Sequence, residues 1–203
     1  MAPDEWDLIP GPRLRSPAQA IRELWEPSDS VTAAVAFVTS GGVHDLVGLV
    51  GTDLSRLELT VRAAPISEPR ALLELETAGA RVYGMAGTWA RGFHPKLWLG
   101  NTGDRLMVLS GSANLTTPAL TQNQEQMELF ALPAGSDAAT AHLHRFSQLI
   151  VGRLSLAALK EAPYWERWEA LQIRHRKEQR ALADELSKPL GLPDHRGHQG
   201  RRR

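Results

Sequence analysis

No cysteine occurs in this sequence, and that absence removes disulfides, thiolate metal ligands and cysteine nucleophiles together. It suits a reducing compartment, so a cytoplasmic location is the expectation. Long apolar runs are missing too. No segment approaches the roughly 20 apolar residues of a membrane span, and the N-terminal "MAPDEWDLIPGPRLRS" is acidic and prolyl, without the apolar stretch of a signal peptide. There is no internal repeat, and "LSGSAN" does not supply the G-x-S-x-G of a hydrolase elbow. Asp7, Asp45, Asp53 and the scattered histidines show no recognised metal-ligand spacing, so neither a metal nor a cofactor is expected. Net charge is absent as well, but only as a sum. Residues 1–173 hold 14 Lys+Arg against 19 Asp+Glu, a net −5, and residues 174–203 hold 9 against 4, a net +5. A basic end of this kind is an electrostatic footprint compatible with nucleic acid.

What is present is enough for a real core. At 203 residues and 42% hydrophobic content, the chain predicts one domain over 1–173 and a basic helical end running into a disordered tail over 174–203. "VTAAVAFV", 31–38, reads as a buried strand ended by the turn signal "TSGG". The "VHDLVGLVG" of 43–51 has helical spacing, "LELTVR" of 57–62 alternates as a strand, and "SEPRALLELETAGA" of 67–80 opens with Ser67 as N-cap and closes at Gly79. "ARVYGM" is a further strand. Strand, helix, strand, helix, strand predicts an α/β layered domain. "GFHPKLWLG", 92–100, and "RLMVLSGSANL", 105–115, flank the turn "NTGD" and predict a hairpin. "EQMELFAL", 125–132, is another strand; 138–160 and 164–188 read as helices.

The hairpin strand holds an imidazole and an ammonium two residues apart. Period-two alternation puts His94 and Lys96 on one face, and the same rule groups Ser112 with Asn114. Glu125 opens the next strand. If the sheet pairs as read, three adjacent strand ends offer five polar groups to one place.

These residues resemble the signature of the phospholipase D superfamily: His94-Pro95-Lys96, then Gly111-Ser112-Ala113-Asn114, then Glu125. Fifteen residues separate Lys96 from Ser112 and ten separate Asn114 from Glu125. The tight match covers about 35 residues, and "AVAFVTSGG" and "ISEPRALLEL" extend a weaker likeness to single-motif nuclease members over roughly 30–150. The family's aspartate position is Asn101 here, with Asp104 in the turn as a displaced substitute to consider.

The resemblance implies a mixed central sheet flanked by helices and a metal-independent phosphodiesterase. His94 would be the nucleophile, forming a phosphohistidine; Lys96 and Asn114 would hold the non-bridging oxygens, and Ser112 would add a hydroxyl donor. Glu125 would accept the proton on the other ring nitrogen of a histidine. A second histidine is needed as general acid. His44 follows the "TSGG" turn with nothing to pair it with a lysine, His142, His144 and His175 fall on helices, and His195 and His198 fall in the tail. Two chains meeting at a two-fold axis would supply the acid, so a homodimer is expected.

The substrate expectation is DNA, as an endonuclease in restriction or phage defence, with Trp89 and Arg91 in the approach loop as substrate-binding candidates. Sequence specificity would then lie in a separate recognition or helicase subunit. Phospholipase D or phosphatidyltransferase action on phospholipid is the alternative, and a non-catalytic nucleic-acid-binding subunit is another. "TSGG" could also bind phosphate through the backbone amides of a helix start.

Overall fold

The apolar runs pair into one sheet. In the computed structural model, which describes residues 7–8, 16–63, 67–86, 91–161 and 164–186, the strands lie in the order β1-β7-β6-β5-β2-β3-β4-β8. They are β1 (Asp7–Leu8), β2 (Ser30–Val35), β3 (Leu57–Arg62), β4 (Arg81–Met85), β5 (Lys96–Asn101), β6 (Arg105–Gly111), β7 (Met127–Pro133) and β8 (Leu154–Ser155). β2, β3 and β4 run parallel. β5, β6 and β7 form an antiparallel run joined to β2 through β5. The sheet is therefore mixed, as expected.

Alternation then sorts the side chains into two layers. Val31, Ala33, Leu59, Val61, Trp98 and Leu109 pack with the helices α1 (Pro17–Trp25), α2 (Ser40–Val50), α3 (Pro69–Thr77), α4 (Thr117–Thr121), α6 (Leu156–Lys160) and α7 (Tyr164–Leu186). Ala34, Leu99, Val108 and Leu132 pack on the opposite face against Ala139 and Phe146 of α5 (Asp137–Leu149).

Several local expectations shift. α1 lies ahead of the first strand read from the sequence; Ser16 and Gln19 cap it reciprocally, the S-x-x-Q form of a capping box. α2 begins at Ser40 rather than at 43, because the Thr39 hydroxyl accepts from the Gly42 amide and starts the helix earlier. Ser67 does not cap α3. It is fully buried and bridges to β2's exit, accepting from the Val38 amide at 3.3 Å and donating to the Ala36 carbonyl at 3.4 Å, while Glu68 takes the N-cap position before Pro69. The helix read over 138–160 is interrupted after Leu149; Gly152, at φ +82°, turns the chain into β8 before α6 begins.

α7 is fastened by its N-terminal half to the same place. The Trp168 Nε1 and Gln172 Nε2 groups both donate to the Ser67 carbonyl, at 3.0 and 2.6 Å, and both side chains are buried. The helix continues without a break through position 173. Past it, Arg174, Arg176, Lys177 and Arg180 are exposed. Residues 187–203, with His195 and His198, lie outside the described residues.

Candidate active site

The carboxyl ends of parallel strands β2 and β3 and the start of antiparallel β5 meet at one end of the sheet, where open α/β sheets bind ligands. β6 ends and β7 begins there too. Val35 pairs with Lys96, Leu97 with Ser110, and Gly111 with Met127, which places both parts of the signature at this one end.

His94 precedes the strand instead of lying in it. Pro95 has no N–H to donate to a ladder, so β5 begins only at Lys96. The His94 ring is exposed and stands edge-on to Phe37, 5.3 Å between centroids at 72°. Lys96 donates back to the His94 carbonyl at 3.4 Å. Loss of water lowers the His94 pKa from its ordinary 6.5, and the positive charges of Lys96 and Arg62 lower it further. The neutral imidazole, the nucleophilic form, is thereby favoured. Lys96 is also lowered, by burial, with Glu125 acting in the opposite direction.

The segment after β6 is bound tightly to its neighbours. Asn114 Oδ1 accepts from the Phe37 amide at 3.3 Å, and Leu115 and Val38 form a parallel bridge, with Thr39 N donating to Leu115 O at 3.1 Å and Leu115 N to Phe37 O at 3.1 Å. Phe37 thus holds His94 through its ring and Asn114 through its amide. Ser112 N donates to Gln126 O at 3.0 Å, and Gln126 N returns a bond to Ser112 Oγ at 3.1 Å. The Ser112 hydroxyl donates to Glu125 Oε2, and Asn123 donates to Glu125 Oε1 at 3.1 Å. Both carboxylate oxygens are therefore engaged by Ser112 and Asn123, and no hydrogen bond joins Glu125 to a histidine of the same chain among the described residues.

His94, Lys96, Ser112, Asn114 and Glu125 thus lie at one end of the sheet, but only Lys96 belongs to a strand; His94, Ser112, Asn114 and Glu125 flank strands, since β6 ends at Gly111 and β7 begins at Met127. Arg91 is exposed, in the turn before His94; Trp89 lies outside the described residues. Asp104 is not a substitute within the site. It accepts from the Thr102 hydroxyl at 2.8 Å in the β5–β6 turn, at the opposite end of β5, where Asn101 also caps Gly103 N at 2.9 Å.

Among the described residues, the remaining histidines make no hydrogen bond or ring contact with these five residues. His44 lines a cleft with Ala18, Asp45 and Leu120 between α1, α2 and α4; His142 and His144 lie on α5, His142 edge-on to Phe130, and His175 lies on α7. Among the described residues, no three His, Asp or Glu side chains are grouped as a metal would require.

Three of the four "TSGG" amides, those of Thr39, Ser40 and Gly42, are already occupied. Glu68 Oε2 accepts from Ser40 N at 2.8 Å and Thr39 caps Gly42, so α2 carries its own anion. A Cβ at Gly42 would lie 2.1 Å from Leu115 O, so the motif serves close packing against the segment that carries Asn114. Arg62 and Phe37 were not singled out from the sequence. A strand-terminal arginine or phenylalanine has no pattern to mark it until the pairing of β2, β3 and β5 is known.

No protein-family model matches the sequence, and a search of curated proteins finds no match. Among solved structures, the chain is similar to phosphatidylserine synthase from Haemophilus influenzae Rd KW20, with a TM-score of 0.52 and 15% identity, covering 83% of this chain and 43% of that one. It is also similar to Nuc, a phospholipase D family member from Salmonella typhimurium, with a TM-score of 0.49 and 14% identity, covering 67% of this chain and 87% of that one. NucT from Helicobacter pylori gives 0.44 and 14%, covering 67% and 90%. At these identities the likeness concerns the fold alone. The chain shares its fold with that phosphatidylserine synthase.

Proposed function

We propose that this chain is a metal-independent phosphodiesterase that cleaves DNA through a phosphohistidine on His94, in a homodimer. The observation that carries the reading is the convergence of His94, Lys96, Asn114, Ser112 and Glu125 at one sheet end, with Phe37 and Gln126 fixing their positions. Phosphoryl transfer requires a nucleophile, cationic or N–H donors for the equatorial oxygens, and an acid for the leaving alkoxide. His94 forms the N–P bond as the P–O bond to the leaving group breaks; Lys96 and Asn114 hold the oxygens. Water then attacks phosphorus, its proton passing to the imidazole that protonated the leaving oxygen, and the N–P bond breaks to free His94.

The leaving oxygen takes its proton from His94 of a second copy, on the far side of phosphorus. This is why a dimer is proposed: among the described residues no other histidine makes a hydrogen bond or ring contact with the five site residues. The exposed Arg174, Arg176, Lys177 and Arg180 of α7 support DNA over lipid, and no helix among the described residues is long and apolar enough to cross a membrane.

The test presents a plasmid and phosphatidylcholine vesicles separately to the purified chain in excess chelator, with His94→Ala as the control. Nicking of the plasmid by wild type alone is expected. Lipid turnover alone would favour the phospholipase reading, and DNA binding without turnover of either would make the chain a binding subunit. Nicking that EDTA stops and magnesium restores would overturn the mechanism.

A further inference from the structure

We propose that Arg62 is a second cationic ligand of the phosphate that His94 attacks, alongside Lys96. The inference rests on the phosphodiesterase reading and adds a residue that the sequence signature does not contain.

Among the described residues, the half-buried arginines are Arg56, Arg62 and Arg153. Two of them are satisfied within the fold. Arg56 donates to the Ser28 carbonyl at 2.5 Å and lies 4.4 Å over the Trp25 ring. Arg153 pairs with Glu58 at 2.6 Å, donates to Thr60 at 3.3 Å and lies 3.9 Å over Tyr83. Arg62 has no such company: its Nε is buried and meets no hydrogen-bond acceptor. A charged donor withdrawn from water without an acceptor is unfavourable unless something from outside completes it.

Its place in the sheet says what that would be. Arg62 is the last residue of β3; the preceding Val61 pairs with Val35, and Val35 pairs with Lys96. Arg62 therefore ends its strand at the sheet end where β5 begins; alternation gives it the face opposite Lys96, so the two cations would reach a phosphate from either side of the strand ends, and its charge lowers the His94 pKa. Two cations, Lys96 and Arg62, act on that imidazole, and Glu125, the carboxylate that acts on Lys96, is already engaged by Ser112 and Asn123. The planar fork of a guanidinium can hold two phosphate oxygens at once, where the ammonium of Lys96 acts as a point charge. Arg62 moves no proton in this role: it binds oxygens while the N–P bond forms and the P–O bond breaks.

The test uses Arg62→Gln and Arg62→Lys in the full chain, with folding checked by thermal melting. The substrate is bis(4-nitrophenyl) phosphate, whose single phosphate excludes contacts to flanking ones. Loss of a charge-assisted bond predicts roughly 10- to 100-fold lower kcat/KM for Arg62→Gln, with Arg62→Lys between it and wild type. Calorimetry with inorganic phosphate should show affinity about 10-fold weaker or worse, and an NMR titration should show the His94 pKa rising once the nearby charge is gone. Wild-type turnover and phosphate affinity in a folded Arg62→Gln protein would overturn the proposal. Should Arg62→Gln fail to fold, Arg62→Lys decides, and wild-type values there overturn it equally. If wild type turns over no diester while Arg62→Gln still loses phosphate affinity, the phosphodiesterase reading fails and the anion site stands.

Discussion

Adding one methyl group at Gly111 should damage both the fold and the site. Gly111 pairs with Met127 across β6 and β7, and a Cβ there would lie 2.0 Å from Gln126 O and 2.7 Å from Met127 Sδ. The sulfur can swing away, but the carbonyl oxygen belongs to the backbone that bonds Ser112. The strands must part. Separation breaks the reciprocal bonds between Ser112 and Gln126, at 3.0 and 3.1 Å. Two hydrogen bonds at about 1 kcal/mol each and an overpacking strain of about 1 to 3 kcal/mol give a loss of about 3 to 5 kcal/mol. For a chain of this length the melting temperature should fall by roughly 6 to 20 °C. The control is Gly48→Ala, in the interior of α2 with nothing within 4 Å of its Cβ; it should gain about 0.5 to 1 kcal/mol. Urea unfolding of both variants measures the difference. Diester turnover, read at a temperature where each variant is folded, should drop for Gly111→Ala because Ser112 and Glu125 move apart. A Gly111→Ala protein with wild-type stability and turnover would refute the close approach and the role assigned to the pair.

The acid limb of the pH–kcat/KM profile should fall below pH 6.5, since neutral His94 is the proposed attacking form and its pKa is lowered from that value, first by burial and then by Lys96 and Arg62; a limb centred at or above 6.5 would contradict this. Trp168→Ala should lose about 3 to 5 kcal/mol in chemical denaturation, because the buried indole and its bond to the Ser67 carbonyl fasten α7 beside the site. A loss below about 1 kcal/mol would show that this docking contributes little. Removing residues 189–203 should weaken DNA binding and flatten its salt dependence without lowering the melting temperature, and an unchanged salt slope would reduce the basic end to a solvated terminus.

The site was legible where chemistry and spacing coincide. His94, Lys96, Ser112, Asn114 and Glu125 could be grouped because the hairpin turn at 101–104 brings the start of β5 beside the end of β6, and the signature spacing marks the residues that flank those strands. The glycine of the signature gains its reason only in three dimensions, where the Gln126 carbonyl occupies the space of a side chain. Local rules failed where tertiary contacts competed with them. Ser67 has the form of an N-cap, yet its hydroxyl is drawn to the backbone of Ala36 and Val38. Alternation extended the strand back to His94, although Pro95 cannot join a ladder. Arg62 and Phe37 gave no signal, since their meaning depends on β5 inserting beside β2 and not on anything within their own strands.

The central claim is that His94 carries the phosphoryl group between attack and hydrolysis. A phosphohistidine is expected to survive alkaline handling and to decay in acid, so the most direct measurement mixes enzyme and bis(4-nitrophenyl) phosphate, quenches in alkali within a turnover, and maps the adduct by mass spectrometry. The account predicts a nitrophenyl-phosphoryl mass increase on the peptide containing His94, its loss on acid treatment, and neither adduct nor turnover in folded His94→Ala. Turnover by that variant, or an adduct on another residue, would contradict it.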